Sequence, residues 1–314
     1  MSSFADALKA KDLEAIRKHP KADLHNHFVL GGDRDYLKHV TGREIEPLRR
    51  PLKSMDEMHA WNEANLGAAF DTPQMRRELI RATFHQAKID GVTVLEIGED
   101  VWGLGEYFHN DINALTEAFT AAQRDIAPNT ELRLQIGLSR HCPVDYLESC
   151  LEHFWGNKAF YSIDLYGDEL AQPIGNFKNI YCRAKREGLV LKAHVGEWGT
   201  AQDVQRAVET LELDEVQHGI AAAEDANVMR FLADNSIRLN ITPSSNVLLG
   251  RVRSMREHPI RKLYRSGVTV TINSDDVLIF DSDVSKEYLR LYASGCLTAE
   301  ELDAIRLEGL KPKA

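Results

Sequence analysis

Eight short strand-like runs, each parted from the next by a stretch with helical signals, organise the 314-residue sequence. They are Ala22 to Phe28, Val92 to Ile97, Leu132 to Leu138, Phe160 to Leu165, Leu189 to Val195, Glu215 to His218, Ile237 to Ile241 and Val268 to Ile272. Several are almost continuously apolar, as parallel strands covered by helices must be. The intervals carry helix starts. Asp71-Thr72-Pro73 opens an amphipathic stretch to Asp90, and Ser54 with Glu57 and Thr298 with Glu301 have capping-box spacing. Eight such units predict an α/β chain folded as a (β/α)8 TIM barrel, one domain over residues 1–314, with extra helices after strand 1 and at the termini. A doubly wound open sheet is the alternative. It calls for a glycine-rich phosphate turn, and neither Gly31-Gly32 nor Gly103-x-Gly105 completes G-x-G-x-x-G.

Composition narrows the partners. Apolar residues make up 43% and charged residues 27%, an ordinary soluble balance, and the formal net charge of -10 argues against a general binder of nucleic acid or anionic membrane. A small-molecule partner is expected, with homo-oligomerisation left open. Cys142, Cys150, Cys182 and Cys296 form no C-x-x-C pair and no disulfide framework. The first twenty residues are charged and amphipathic rather than signal-like, and there is no apolar run of bilayer length, so a cytoplasmic protein is expected.

A barrel puts its functional residues at the C-terminal ends of several strands. The first run ends in His25-Asn26-His27, whose imidazoles, at i and i+2, point to one side of an extended segment and would share a metal ion. The fourth ends Asp164-Leu165-Tyr166-Gly167-Asp168-Glu169, the fifth His194-Val195-Gly196-Glu197, the sixth His218-Gly219 and the eighth Asn273-Ser274-Asp275-Asp276. Taken singly, each has a bland reading: a hydrogen-bonded strand-end histidine, a first-turn acid, an N-cap aspartate. Their recurrence at strand ends is what a catalytic metal site needs.

These segments, with Thr242-Pro243-Ser244-Ser245-Asn246, resemble in content and order the motifs of the adenosine deaminase family within the metal-dependent amidohydrolases, and they span residues 22 to about 280. The resemblance implies one Zn2+ held by His25, His27, His194 and Asp275. It implies that Glu197 protonates the ring nitrogen beside the attacked carbon, and that His218 orients and helps deprotonate the attacking water. Asp275 would stay ionised as a ligand, while Asp276 and the Gly167 backbone N–H would hydrogen-bond other ring nitrogens. The implied activity is hydrolytic deamination of an adenine-type purine with release of ammonia. The alternatives are hydrolysis of another C–N or amide bond by the same site, or a non-catalytic metal-bound scaffold.

The chain departs from the family where Phe28-Val29-Leu30 replaces the acidic continuation of His-x-His, and where the segment Glu96 to Trp102 lacks the usual arginine. Unmodified adenosine is therefore not the expected substrate; Asp33 would stand in for the lost acid only through a shifted loop. Trp102, Tyr107, Phe108 and Trp198 would either line a pocket for an aryl, alkyl or 5′-modified group or pack in the core. Residues 33 to 70 are expected to cover the site, and Lys192, two before His194, either snorkels or pairs with an acid.

Overall fold

The computed structural model describes residues 3–52 and 55–311. Eight strands, β1 (Lys21–Asp23), β2 (Val92–Asp100), β3 (Glu131–Ser139), β4 (Phe160–Tyr166), β5 (Val190–Val195), β6 (Glu215–His218), β7 (Arg238–Ile241) and β8 (Thr269–Ile272), form one parallel sheet in that order. The sheet curls until β8 returns to β1. Asn26 and Asp275 bridge in parallel, and the Asp275 N–H donates to the His25 carbonyl at 2.9 Å. The result is the expected (β/α)8 barrel, nearly closed, with helices around it.

Local chemistry fixes the helices. Thr72 caps the helix Pro73–Asp90 by accepting from the Met75 N–H at 3.2 Å, and Gly91 ends it in the left-handed conformation. That helix buries Leu79, Ile80 and Phe84 against the barrel, each contributing about 1.5–3 kcal/mol through removal from water. Thr298 and Glu301 form the expected capping box. The one expected of Ser54 and Glu57 lies outside the described residues. The extra helices are present: Arg34–Thr41 and Met55–Asn65 follow β1, and the terminal helices Phe4–Ala10 and Ala299–Gly309 pack on each other.

The first strand is shorter than its apolar run. It stops at Asp23, not Phe28, because Leu24 donates its N–H to the Asn273 side chain at 2.8 Å and the His27 carbonyl closes a turn with the Leu30 N–H. His25 and His27 therefore sit just past the strand.

The barrel interior is polar at its centre. Lys192 on β5 is fully buried and pairs with Glu96 on β2 at 2.7 Å and Glu215 on β6 at 3.1 Å, while donating to the Leu24 carbonyl at 3.2 Å. Burial opposes its charge, but the two carboxylates outweigh burial and hold the ammonium above its ordinary range. Of the two expectations for Lys192, pairing holds and snorkelling does not. Removing one member of a buried ion cluster leaves the others uncompensated. Lys192→Met is expected to cost about 3–5 kcal/mol in urea unfolding, with Lys192→Met/Glu96→Gln recovering part of it; a loss under about 1 kcal/mol would mean that water already solvates the cluster.

Candidate active site

Above Lys192 on the same face of β5, His194 reaches the barrel mouth and meets His25 and His27. Its Nε2 lies 3.3 Å from the His27 Nε2, and the His25 and His27 Nε2 atoms lie 3.8 and 3.6 Å from Asp275 Oδ1. Donor atoms of His25, His27 and Asp275 all fall within 4.8 Å of one another, as do those of His25, His194 and His218. The far nitrogens are already engaged: His25 Nδ1 sits 3.0 Å from the Asn240 carbonyl, and His194 Nδ1 3.3 Å from Asp164 Oδ1. Donation by those nitrogens leaves each Nε2 with a lone pair aimed inward, as metal-binding histidines require. His25 Nε2 is buried without a hydrogen-bond partner, and burial drives its pKa down to about 3, so it is a neutral imidazole. Converging neutral nitrogens beside a carboxylate fit a divalent cation of borderline softness.

Facing this cluster stand Glu197 and Asp276. The Glu197 side chain is 11% exposed, and burial, followed by repulsion from Asp275 and Glu169, raises its carboxyl well above the usual range. Asp276 is raised likewise by burial and by Asp275 and Glu197, and its Oδ1 is buried with no hydrogen-bond partner. Between them His218 points Nε2 at Glu197 Oε2, 3.6 Å away, while its Nδ1 lies 3.0 Å from the Thr242 hydroxyl and 3.3 Å from the Asn246 amide. Gly167 turns the chain after β4 at φ +87° and lines the same cavity, of about 600 Å³. All the residues expected at the site are thus brought together.

Some residues that build the site escape sequence reasoning. Glu169 accepts the backbone N–H groups of Gly196 at 2.6 Å, Glu197 at 3.1 Å, Trp198 at 2.8 Å and Gly199 at 3.2 Å, and so sets the loop that carries Glu197. Its motif was visible, its task was not. Asp164 orients His194; the signal was its inward parity on β4 with Ser162. The arginine missing from the end of β2 is replaced in space by Arg76, from the helix Pro73–Asp90, which grips Glu99 through Nε at 2.6 Å and through Nη2. Nothing local in the sequence announces that pairing.

The aromatics divide. Trp102 and Tyr107 line the cavity, and Arg76 lies over the Tyr107 ring at 4.5 Å. Phe108 is core. Trp198 lies outside the cavity, under Arg251 at 4.5 Å, and donates from Nε1 to Glu197 Oε2 at 3.1 Å. Asp33 does not replace the lost acid: its carboxylate caps the helix Arg34–Thr41 through the Tyr36 N–H at 2.6 Å. Met58, Asn62 and Leu66 of the helical segment after β1 do cover the cavity. Among the described residues no helix is long and apolar enough to cross a membrane.

Known proteins share this arrangement of chain. A protein of Treponema pallidum, described provisionally as an adenosine/adenine deaminase, is 35% identical over 299 residues, covering 94% of this chain and 100% of its own. The adenine deaminase of Arthrobacter aurescens has the same fold with a TM-score of 0.79 at 24% identity, covering 92% of each chain. An amidohydrolase of Burkholderia ambifaria, solved with bound Zn, follows at a TM-score of 0.77 and 21% identity, covering 96% of this chain and 87% of that one. The adenosine deaminase family profile matches residues 50–314. With that match, and a relative aligned along its whole length, this chain belongs to the adenosine deaminase family of hydrolytic deaminases.

Proposed function

We propose that the chain, acting as one domain over residues 1–314, removes the amino group of an adenine-type purine, as base, nucleoside or modified nucleoside, by metal-dependent hydrolysis with release of ammonia. The observation that carries this reading is the convergence of His25, His27, His194 and Asp275 opposite two carboxyls, Glu197 and Asp276, that burial and neighbouring carboxylates raise well above the usual range. The four donors would hold one Zn2+, and the zinc bound by the structurally similar Burkholderia ambifaria amidohydrolase supports that choice. When bound, such an ion supplies Lewis acidity that brings the pKa of water to about 7.

The residues of the chain do the rest. Water is a poor nucleophile toward an aromatic amidine, so the ring must gain electrophilicity as attack proceeds. Glu197 gives its proton to the ring nitrogen beside the carbon that bears the amino group, and that nitrogen receives the electron pair of the C=N bond as the new C–O bond forms. His218, fixed at Nδ1 by Thr242 and Asn246, takes the water proton at Nε2 and passes it to the amino group. The C–N bond then breaks, ammonia leaves, and the carbonyl forms as the remaining proton of the added water is given up, which replaces the one that Glu197 delivered to the ring. Asp276, with its unpartnered Oδ1, and the Gly167 N–H hydrogen-bond the remaining ring nitrogens and hold the ring in line. The deep desolvation that raises Glu197 is what keeps a proton available near neutral pH.

Glu197→Gln keeps the shape of the side chain and removes the proton donor. Turnover of adenine or adenosine should fall about 100- to 10,000-fold while elemental analysis still finds one metal per chain; unchanged turnover would remove Glu197 from the mechanism. Chelated protein should release no ammonia and should melt at a lower temperature. Zinc at a thousandfold excess over its Kd should restore both, with about 4 kcal/mol of added stability by linkage, and full activity in metal-free protein would sink metal dependence.

A further inference from the structure

The ends of β1, β5, β6 and β8 hold the metal donors and the acids of the proposed chemistry, yet β2 and β3 also end in buried polar groups on the same cavity. Asp100 closes β2 with 3% exposure and lines the cavity. Its Oδ2 accepts the hydroxyl of Ser139, the last residue of β3, and its Oδ1 accepts the Trp102 N–H at 3.3 Å, a long hydrogen bond. Burial and the adjacent Glu99 raise this carboxyl to about 7. A carboxyl so placed is costly to the fold unless something pairs with it.

Glycines make room for the groups packed around it. Gly137, beside Asp100 in the β2–β3 register, gives room to Tyr166: a Cβ there would lie 2.2 Å from the Tyr166 hydroxyl. A Cβ at Gly103 would lie 2.6 Å from the Glu99 carboxylate. Ser139 pairs with Tyr166 across β3 and β4, and Gly167 is the next residue, so the cluster continues outward from the N–H proposed to hold the purine ring. In strand order β2 lies across the mouth from β6, which carries His218. Asp100 therefore lies on the side of the mouth opposite His218.

Charge then selects the substrate. Arg76 is the sole lysine or arginine among the described residues lining the cavity, and Glu99 neutralises it. Glu63, Asp71 and Asp100 add acidity without a matching cation in that lining. A phosphate in this space would meet like charge, whereas a hydroxyl or amine would meet an acceptor.

Resting on the deaminase reading above, we infer that Asp100, oriented by Ser139, is a specificity-determining residue that accepts a hydrogen bond from a hydroxyl or amine on the substituent at the far edge of the purine, and that substrates phosphorylated there are rejected. The metal-loaded full chain would be assayed for ammonia release on 9-(2-hydroxyethyl)adenine, 9-ethyladenine and AMP, together with Asp100→Ala, Asp100→Asn and Ser139→Ala. A hydrogen bond to a charged group supplies roughly ten- to a hundredfold in kcat/KM. Hydroxyethyladenine is expected to exceed ethyladenine by that factor, mostly through KM, and AMP to be the poorest of the three. Asp100→Ala should abolish the advantage, lowering kcat/KM on hydroxyethyladenine by more than on ethyladenine, with circular dichroism checking that the variant folds, and Asp100→Asn should retain part of it. Ser139→Ala should reduce it. Equal rates on the two alkyl adenines, equal losses on both in Asp100→Ala, or a preference for AMP would overturn this inference and leave the deaminase reading standing. No ammonia from any purine, these three together with adenine and adenosine, would take down both.

Discussion

The position of Leu24 is the constraint on which the histidine cluster depends. β1 supplies only three paired residues, too few to aim the two histidines that follow it. Side chains from other strands do that work. Leu24 gives its N–H to Asn273 on the β8 side, and its carbonyl receives Lys192 Nζ and Gln217 Nε2, each at 3.2 Å. The Asp275 N–H then fixes the His25 carbonyl. The ammonium in the barrel centre is thus tied to the histidine cluster by a single peptide unit. A barrel filled with aliphatic side chains would pack as densely, but it would offer that carbonyl no donor.

The buried acids sort by whether a cation meets them. Glu96 and Glu215 share Lys192, and Glu99 holds Arg76, so these three lock neighbouring walls of the barrel together. Glu197, Asp276 and Asp100 are buried to a similar degree, have no such partner, and all face the cavity. Burial raises each of them. Asp23 and Glu287 are buried and raised as well, but they hold Ser274 and Ser244 away from the cavity, whereas among the described residues these three are the raised acids that line it, where a ligand can reach them.

The alternation of apolar runs was enough to expect the barrel, because parallel strands buried on both faces leave a period the eye can follow. It was also enough to find the strand-end residues, since the ligand-bearing positions follow directly on those runs. What the runs hid was length: Leu24 to Phe28 continues the strand-like run, yet its hydrogen bonds go to side chains and a turn. Spacing was equally silent about Arg76 and Glu169. The first reaches Glu99 from a helix preceding the strand, and the second acts through four backbone donors thirty residues or fewer away, a relation fixed only when two loops fold against each other. Lys192 was legible as an oddity but not as a hub, because its partners lie on three other elements.

Backbone strain at the site points the same way as its charges. Among the described residues eight other than glycine have positive φ, and Lys11, His109, Glu212 and Asp281 are simply the left-handed ends of helices. His218 at 62° and Asp275 at 64° are not; each lies at the turn where the chain leaves a strand into the cavity. The left-handed conformation costs a residue with a Cβ roughly 1–2 kcal/mol. Glycine would remove the cost and would also remove the imidazole or the carboxylate. The turn at His218 is followed at once by Gly219, also left-handed at 68°, where a Cβ would press to 2.8 Å from Leu239. Glycine stands where only the path of the chain is at stake, and a strained side chain stands where an atom must reach the reaction centre.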